Sequence, residues 1–153
     1  MSISSIVSNP NILLGLSEAL EPTLLQGIPK VLYNGFSNSI AGPTVINVPL
    51  LVRTLAISPN LPGNAISGAV SITFSSSANG ITFTLAVSIG GSVNQVNLVA
   101  GNGTQTVTVF MNLSSEPVAG PQTVNVTVTM TSAGTLTFAG AGNPVSMQLL
   151  EIL

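Results

Sequence analysis

The chain has 153 residues with two basic (Lys30, Arg53) and four acidic (Glu18, Glu21, Glu116, Glu151) side chains, a formal net charge of -2 and no His, Cys, Asp or Trp. Charged residues make up 4%, against roughly 25% in an ordinary soluble domain. The counts exclude imidazole and thiol chemistry, ordinary zinc, copper or iron sites, and a grip on nucleic acid, which needs several Lys or Arg contacts to phosphate.

No segment approaches the roughly 20 apolar residues of a bilayer-spanning helix. With 45% hydrophobic residues in regular alternation, the chain can support the core of one domain. At the N-terminus, Ser8 or Asn9 can cap a helix, Pro10 suits its first position, and Ile12, Leu13, Leu16 and Leu20 share a face. Pro22 closes it. Residues 1–33 therefore read as an apolar arm with a short helix near 10–21, and residues 34–153 as a β-sandwich. MSISSIVSNPNILLGLSEAL has no basic start, so no secretory signal is expected.

Beyond the arm the period becomes two. Strands are expected near 44–57, 68–75, 81–89, 92–99, 104–112, 122–131, 134–138 and 144–152. Gly, Pro and Asn punctuate them, as at Asn79-Gly80, Gly90-Gly91 and Asn102-Gly103. Pro49 implies an edge strand, a bulge or a division of the first strand. SVNQVNLVA breaks its alternation between Val93 and Val96, the signature of a β-bulge. Eight short strands with frequent turns indicate an all-β, eight-stranded jelly-roll sandwich, with an immunoglobulin-like sandwich as the alternative.

Candidate chemistry is sparse. Lys30 is the one lysine available to a Ser–Lys pair, and a solvated charge explains it more simply. Glu116 and Glu151 could form a glycosidase carboxylate pair only if the fold brought them together. Glu18 and Glu21 share a face of the short helix. Gly101-Asn102-Gly103 and Gly140-Ala141-Gly142 lack the spacing of phosphate loops and read as turns. No catalytic, cofactor or metal site is expected, and no enzymatic activity. Asn102, Asn112 and Asn125 head glycosylation sequons, frequent by chance in so Asn-, Ser- and Thr-rich a chain.

The strand QTVNVTVTMT turns Val124, Val126, Val128 and Met130 one way, and Thr123, Asn125, Thr127, Thr129 and Thr131 the other. Its wet face is neutral, as is that of GITFTLAVSI (80–89). Free monomers protect exposed strands with charge, and low charge favours association. Neutral hydroxyls and amides suit a surface that packs against its own copies without desolvating ions. With no His and four carboxylates, the fold should also tolerate acid.

These strands, with TQTVTVFMN, resemble the single jelly-roll capsid proteins of icosahedral or polyhedral viruses of hot-acid archaea. The resemblance covers 44–152 as a strand pattern, with 1–33 as the arm. It implies a virion coat subunit that packs through arm exchange, with copies of itself and other capsid proteins as partners and little nucleic-acid contact. The arm is apolar where many capsid arms are basic, so it would insert into a neighbour or face an inner layer or membrane. One alternative is a cell-surface filament subunit assembled by donor-strand complementation, through the arm or PVSMQLLEIL. The other is a trimeric receptor- or carbohydrate-binding head, for which Tyr33 and Phe36 are the aromatic hint.

Overall fold

A computed structural model describes residues 29–39, 44–118, 120–138 and 140–152. The expected helix near 10–21, with Glu18 and Glu21, lies outside them. The described residues form nine strands: β1 (Lys30–Ser39), β2 (Leu50–Ile57), β3 (Ala65–Ser76), β4 (Ile81–Ile89), β5 (Ser92–Ala100), β6 (Gly103–Ser114), β7 (Gln122–Met130), β8 (Leu136–Thr137) and β9 (Gly140–Ile152). One sheet runs β1-β9-β3-β6, with β8 beside the end of β3; the other runs β2-β7-β4-β5. All ladders between these strands are antiparallel.

Without the two-residue β8, the sheet orders β1-β9-β3-β6 and β2-β7-β4-β5 are those of two nested Greek keys. That order is the jelly roll. The immunoglobulin alternative falls on the same strand order.

Alternation places the core. Along β7, Gln122, Val124, Val126, Val128 and Met130 are buried, and the residues between them are not. Val124, Val126, Val128 and Met130 pair with Ile89, Val87, Leu85 and Phe83 of β4; Ile66, Val70, Ile72 and Phe74 of β3 and Val145, Met147 and Leu149 of β9 complete the core from the other sheet. Phe74 meets the Phe83 ring edge-on, with centroids 5.3 Å apart, and lies 5.4 Å from Phe138.

The structure departs from the sequence expectations in four places. Residues 30–33, assigned to the arm, begin β1, whose register with β9 shifts between Val31 and Tyr33. This bulge turns both Leu32 and Tyr33 toward the core, so no period of two was visible there. The expected 44–57 strand begins only at Leu50, after Pro49; before it, Ile46 makes a single parallel bridge to Met130. The expected strand at 134–138 shrinks to β8. The bulge expected in SVNQVNLVA is absent, since β5 pairs with β4 in unbroken register from Ser92 to Ala100. Asn94 simply takes an inward position on an edge strand, where it is only half buried.

Gly68 shows how tightly β3 and β9 fit. A Cβ there would stand 1.9 Å from the Gln148 carbonyl oxygen and 3.2 Å from Cα of Leu149. Gly68→Ala should therefore destabilise the fold by about 2–3 kcal/mol, the range for overpacking against atoms that cannot rotate away. Chemical denaturation measures it, and a neutral result would mean the strands can separate locally.

Candidate functional site on the outer sheet faces

The outer faces continue the neutral pattern. Across the β1-β9-β3-β6 sheet, register aligns Asn34, Gln148, Ala69 and Phe110 in one row and Phe36, Ser146, Ser71 and Thr108 in the next. Phe36 and Phe110 stand on opposite edge strands, 76% and 81% exposed, about 16 Å apart across three strand spacings and one row. Beside Phe36 lies a shallow hollow of about 380 Å³, floored by Gly35, Ala69, Ser71 and Ser146 and flanked by Asn34 and Gln148.

Sequence reading noticed Phe36 but paired it with Tyr33, which packs against the core. It missed Phe110. The signal was present, because Phe110 shares its strand phase with Thr104, Thr106 and Thr108, and so had to face outward.

Hydroxyls on these faces bond to one another across strands. Ser71 pairs with Thr108 at 2.6 Å, Thr73 with Thr106 at 2.8 Å and Ser75 with Thr104 at 3.1 Å. On the second sheet Thr82 pairs with Thr131 at 2.8 Å, and Thr84 donates to Asn97 Oδ1 at 2.7 Å. Cross-strand pairs of this kind stabilise a sheet without charge.

The charges lie elsewhere. Glu151, on β9, is fully buried. Its carboxylate accepts from the Asn60 amide on both oxygens (2.9 and 2.8 Å), from the Leu61 amide (3.1 Å) and from Asn64 Nδ2 (2.8 Å). Burial raises its pKa, but those donors and the positive charge of Lys30 outweigh this, leaving it below the ordinary value of 4.5. Lys30 sits opposite Glu151 in register and donates to Ser58 O at 3.1 Å and Asn60 Oδ1 at 2.6 Å. Both charges pin the β2–β3 loop. Arg53 is half buried, with its Nε buried and without a hydrogen-bond partner.

Glu116 lies in the β6–β7 loop. Its carbonyl accepts from the Gly63 amide of the same β2–β3 loop at 3.1 Å, and its side chain lies against Gly90. It helps line a second hollow, of about 390 Å³, with Ile89, Gly91, Ser92 and Ser115. The two glutamates considered as a pair thus turn their carboxylates to different places, Glu151 to the β2–β3 loop and Glu116 to the β4–β5 turn at Gly90. Glu151 has its oxygens occupied by structural donors, so among the described residues Glu116 has no free second carboxylate beside it for a glycosidase pair. Among the described residues, no three acidic side chains gather into a metal-binding group.

Of the sequon residues, Asn102 is exposed at the β5–β6 turn, where its amide donates to Asn79 Oδ1 at 2.7 Å. Asn112 is exposed on β6 and Asn125 half buried on the central strand β7. PVSMQLLEI (144–152) forms most of β9, held between β1 and β3 of its own sheet.

No protein-family model and no curated protein matches the chain. Among solved structures it is similar to carbohydrate-binding module CBM36 in complex with calcium and xylotriose, at 13% identity over 81% of this chain and 98% of that one, with a TM-score of 0.35. A second likeness is to TmCBM61 in complex with β-1,4-galactotriose, at 15% identity over 72% and 70%, with a TM-score of 0.31. A third is to the C-terminal domain of a structural protein from sulfolobus turreted icosahedral virus, at 17% identity over 82% and 100%, with a TM-score of 0.24. The fold assignment rests on the strand order, not on these likenesses.

Proposed function

We propose that this protein is a structural subunit that packs against copies of itself, the coat subunit of a viral shell. One observation carries the reading. Every described outward-facing side chain on both sheets is neutral, and Phe36, Phe110, Val93 and Val99 stand more than half exposed among hydroxyls and amides. Such a surface is a liability for a dispersed monomer, and it matches a second surface of the same kind. The partners proposed are copies of the chain and other shell proteins, and the place is the virion. With two basic residues, direct contact with a genome is minor in this account.

Electron microscopy with solution mass, at about pH 3 and about pH 7 on either side of the carboxylate range, tests the reading. Shells, capsomers or rings support it. Linear threads favour a filament subunit, and a dispersed monomer at both pH values sinks self-assembly. The double variant F36S/F110S should keep its stability within about 0.5 kcal/mol, as surface changes do, yet associate more weakly. Unchanged association would remove these rings from the packing surface.

A second reading has its own observation. The hollow beside Phe36 joins an exposed aromatic ring to Asn34, Gln148, Ser71 and Ser146 without charge, which suits the apolar face and hydroxyls of a neutral sugar. Loss of glycan retention in F36A, with the fold intact, would support it. Absence of any retained glycan would end it.

A further inference from the structure

We infer that β5 is a two-fold assembly edge, pairing antiparallel with β5 of a second copy to join two four-stranded sheets into one of eight strands. The inference rests on the self-assembly reading above and names the surface it would use.

Edge protection is uneven in this sandwich. The β1 edge carries Lys30 and a register shift between Val31 and Tyr33. The β2 edge follows Pro49, carries Arg53 and has a shift between Leu51 and Arg53. Charges and bulges of this kind discourage strand addition. The opposite flank, β5 and β6, has no charge, no proline and no register shift. β5 bonds to β4 alone, leaving its other side open.

Its backbone groups can be assigned. β4 and β5 are joined by the two-residue turn Gly90-Gly91, with Gly90 at φ +52° as a type II′ hairpin turn requires. Ile89 and Ser92 therefore close the hairpin as a hydrogen-bonded pair, and alternate residues bond to β4. The amides and carbonyls of Val93, Gln95, Asn97 and Val99 are left facing the open edge.

The sequence of the edge is complementary to itself. A two-fold axis at Val96, the middle of the nine residues Ser92–Ala100, sets Val93 opposite Val99 of the second copy and Gln95 opposite Asn97. Valine meets valine and amide meets amide, in the register that also gives full overlap. These four residues are the ones with free backbone groups, so hydrogen-bonding parity and side-chain pairing select the same alignment. Val96 and Leu98, half buried at the flank, gain cover on the inner face. β6 cannot do this over its full length. Its twelve residues have no central residue to place on an axis that keeps inner side chains facing inner ones.

Three variants of the full chain test the pairing, with thermal unfolding used to confirm that each is folded. Q95K/N97K sets lysine opposite lysine and should weaken self-association at least about tenfold by sedimentation. Q95K/N97E sets a lysine of one copy opposite a glutamate of the other and should restore association to near the wild-type value. Val96→Cys places a single thiol of a chain that has no cysteine against its symmetry mate, about 4.5 Å away between Cα atoms for a non-hydrogen-bonded pair. That spacing is within disulfide range, and mild oxidation should give a covalent dimer. Association of Q95K/N97K equal to wild type, or no covalent dimer from Val96→Cys, overturns the β5 pairing and leaves self-assembly standing. A wild-type chain that is monomeric at every concentration removes both.

Discussion

Glu151→Ala should lower the unfolding free energy by about 3–5 kcal/mol, the usual consequence of removing one partner from a buried charged network. The variant leaves the Asn60 and Leu61 amides and the Asn64 side chain without the acceptor they share, and the β2–β3 loop without its anchor. Urea unfolding at neutral pH measures it. A loss below about 1 kcal/mol would mean that water reaches the loop and replaces the carboxylate.

The same group gives the fold its acid limit. The folded-state pKa of Glu151 lies below the ordinary 4.5, so the unfolded chain takes up a proton first as the pH falls. Its contribution is complete above about pH 4.5 and is lost as the pH drops through the folded-state value. The Tm difference between wild type and Glu151→Gln should therefore be largest near neutrality and shrink in the acid range. A difference that stays constant with pH would show that the loop is held by shape alone. Among the described residues, the acid tolerance expected from the sequence would thus turn largely on this one carboxylate.

Phe74→Ala should cost a similar amount, about 3–5 kcal/mol. Phe74 belongs to β3 in one sheet, and its ring meets Phe83 of β4 in the other; Phe138, just after β8, closes the cluster. Removing the ring opens a cavity where the sheets are joined, and strands fixed by hydrogen bonds on both sides cannot collapse into it. Phe74→Leu, which fills most of the volume, should cost roughly 1–2 kcal/mol. Equal losses for the two variants would indicate that the ring's edge-on geometry matters more than its volume.

Some of this was legible in the sequence and some was not. The strict phase of QTVNVTVTMT identified β7 and its neutral face, because a strand with one buried side writes its geometry into every second residue. β1 was hidden, because the bulge at Leu32 and Tyr33 turns adjacent residues to the same side. β5 gave the reverse error, since an edge strand tolerates Asn94 at an inward position without breaking register. Glu151 could not be read at all. Its donors lie 87 to 91 residues earlier, and only the closure of β9 against β3 brings that loop to it. Phe110 was readable by phase alone, since it alternates in step with Thr104, Thr106 and Thr108.

The place of β9 also fixes the order in which the molecule can be made. It lies between β1 and β3, so in this sheet β1 has no neighbour until residues 140–152 have been synthesised. Nascent chains emerge at about 5–20 residues per second, so β1 waits several seconds for the strand that holds it. The β1-β9-β3-β6 sheet is therefore completed only once β9 is available, and through long-range pairings that form on the slow side of the folding scale. In that interval one flank of β3 is open as well. Until β9 arrives, β1 and β3 share one missing neighbour, and β9 is the strand that closes this sheet.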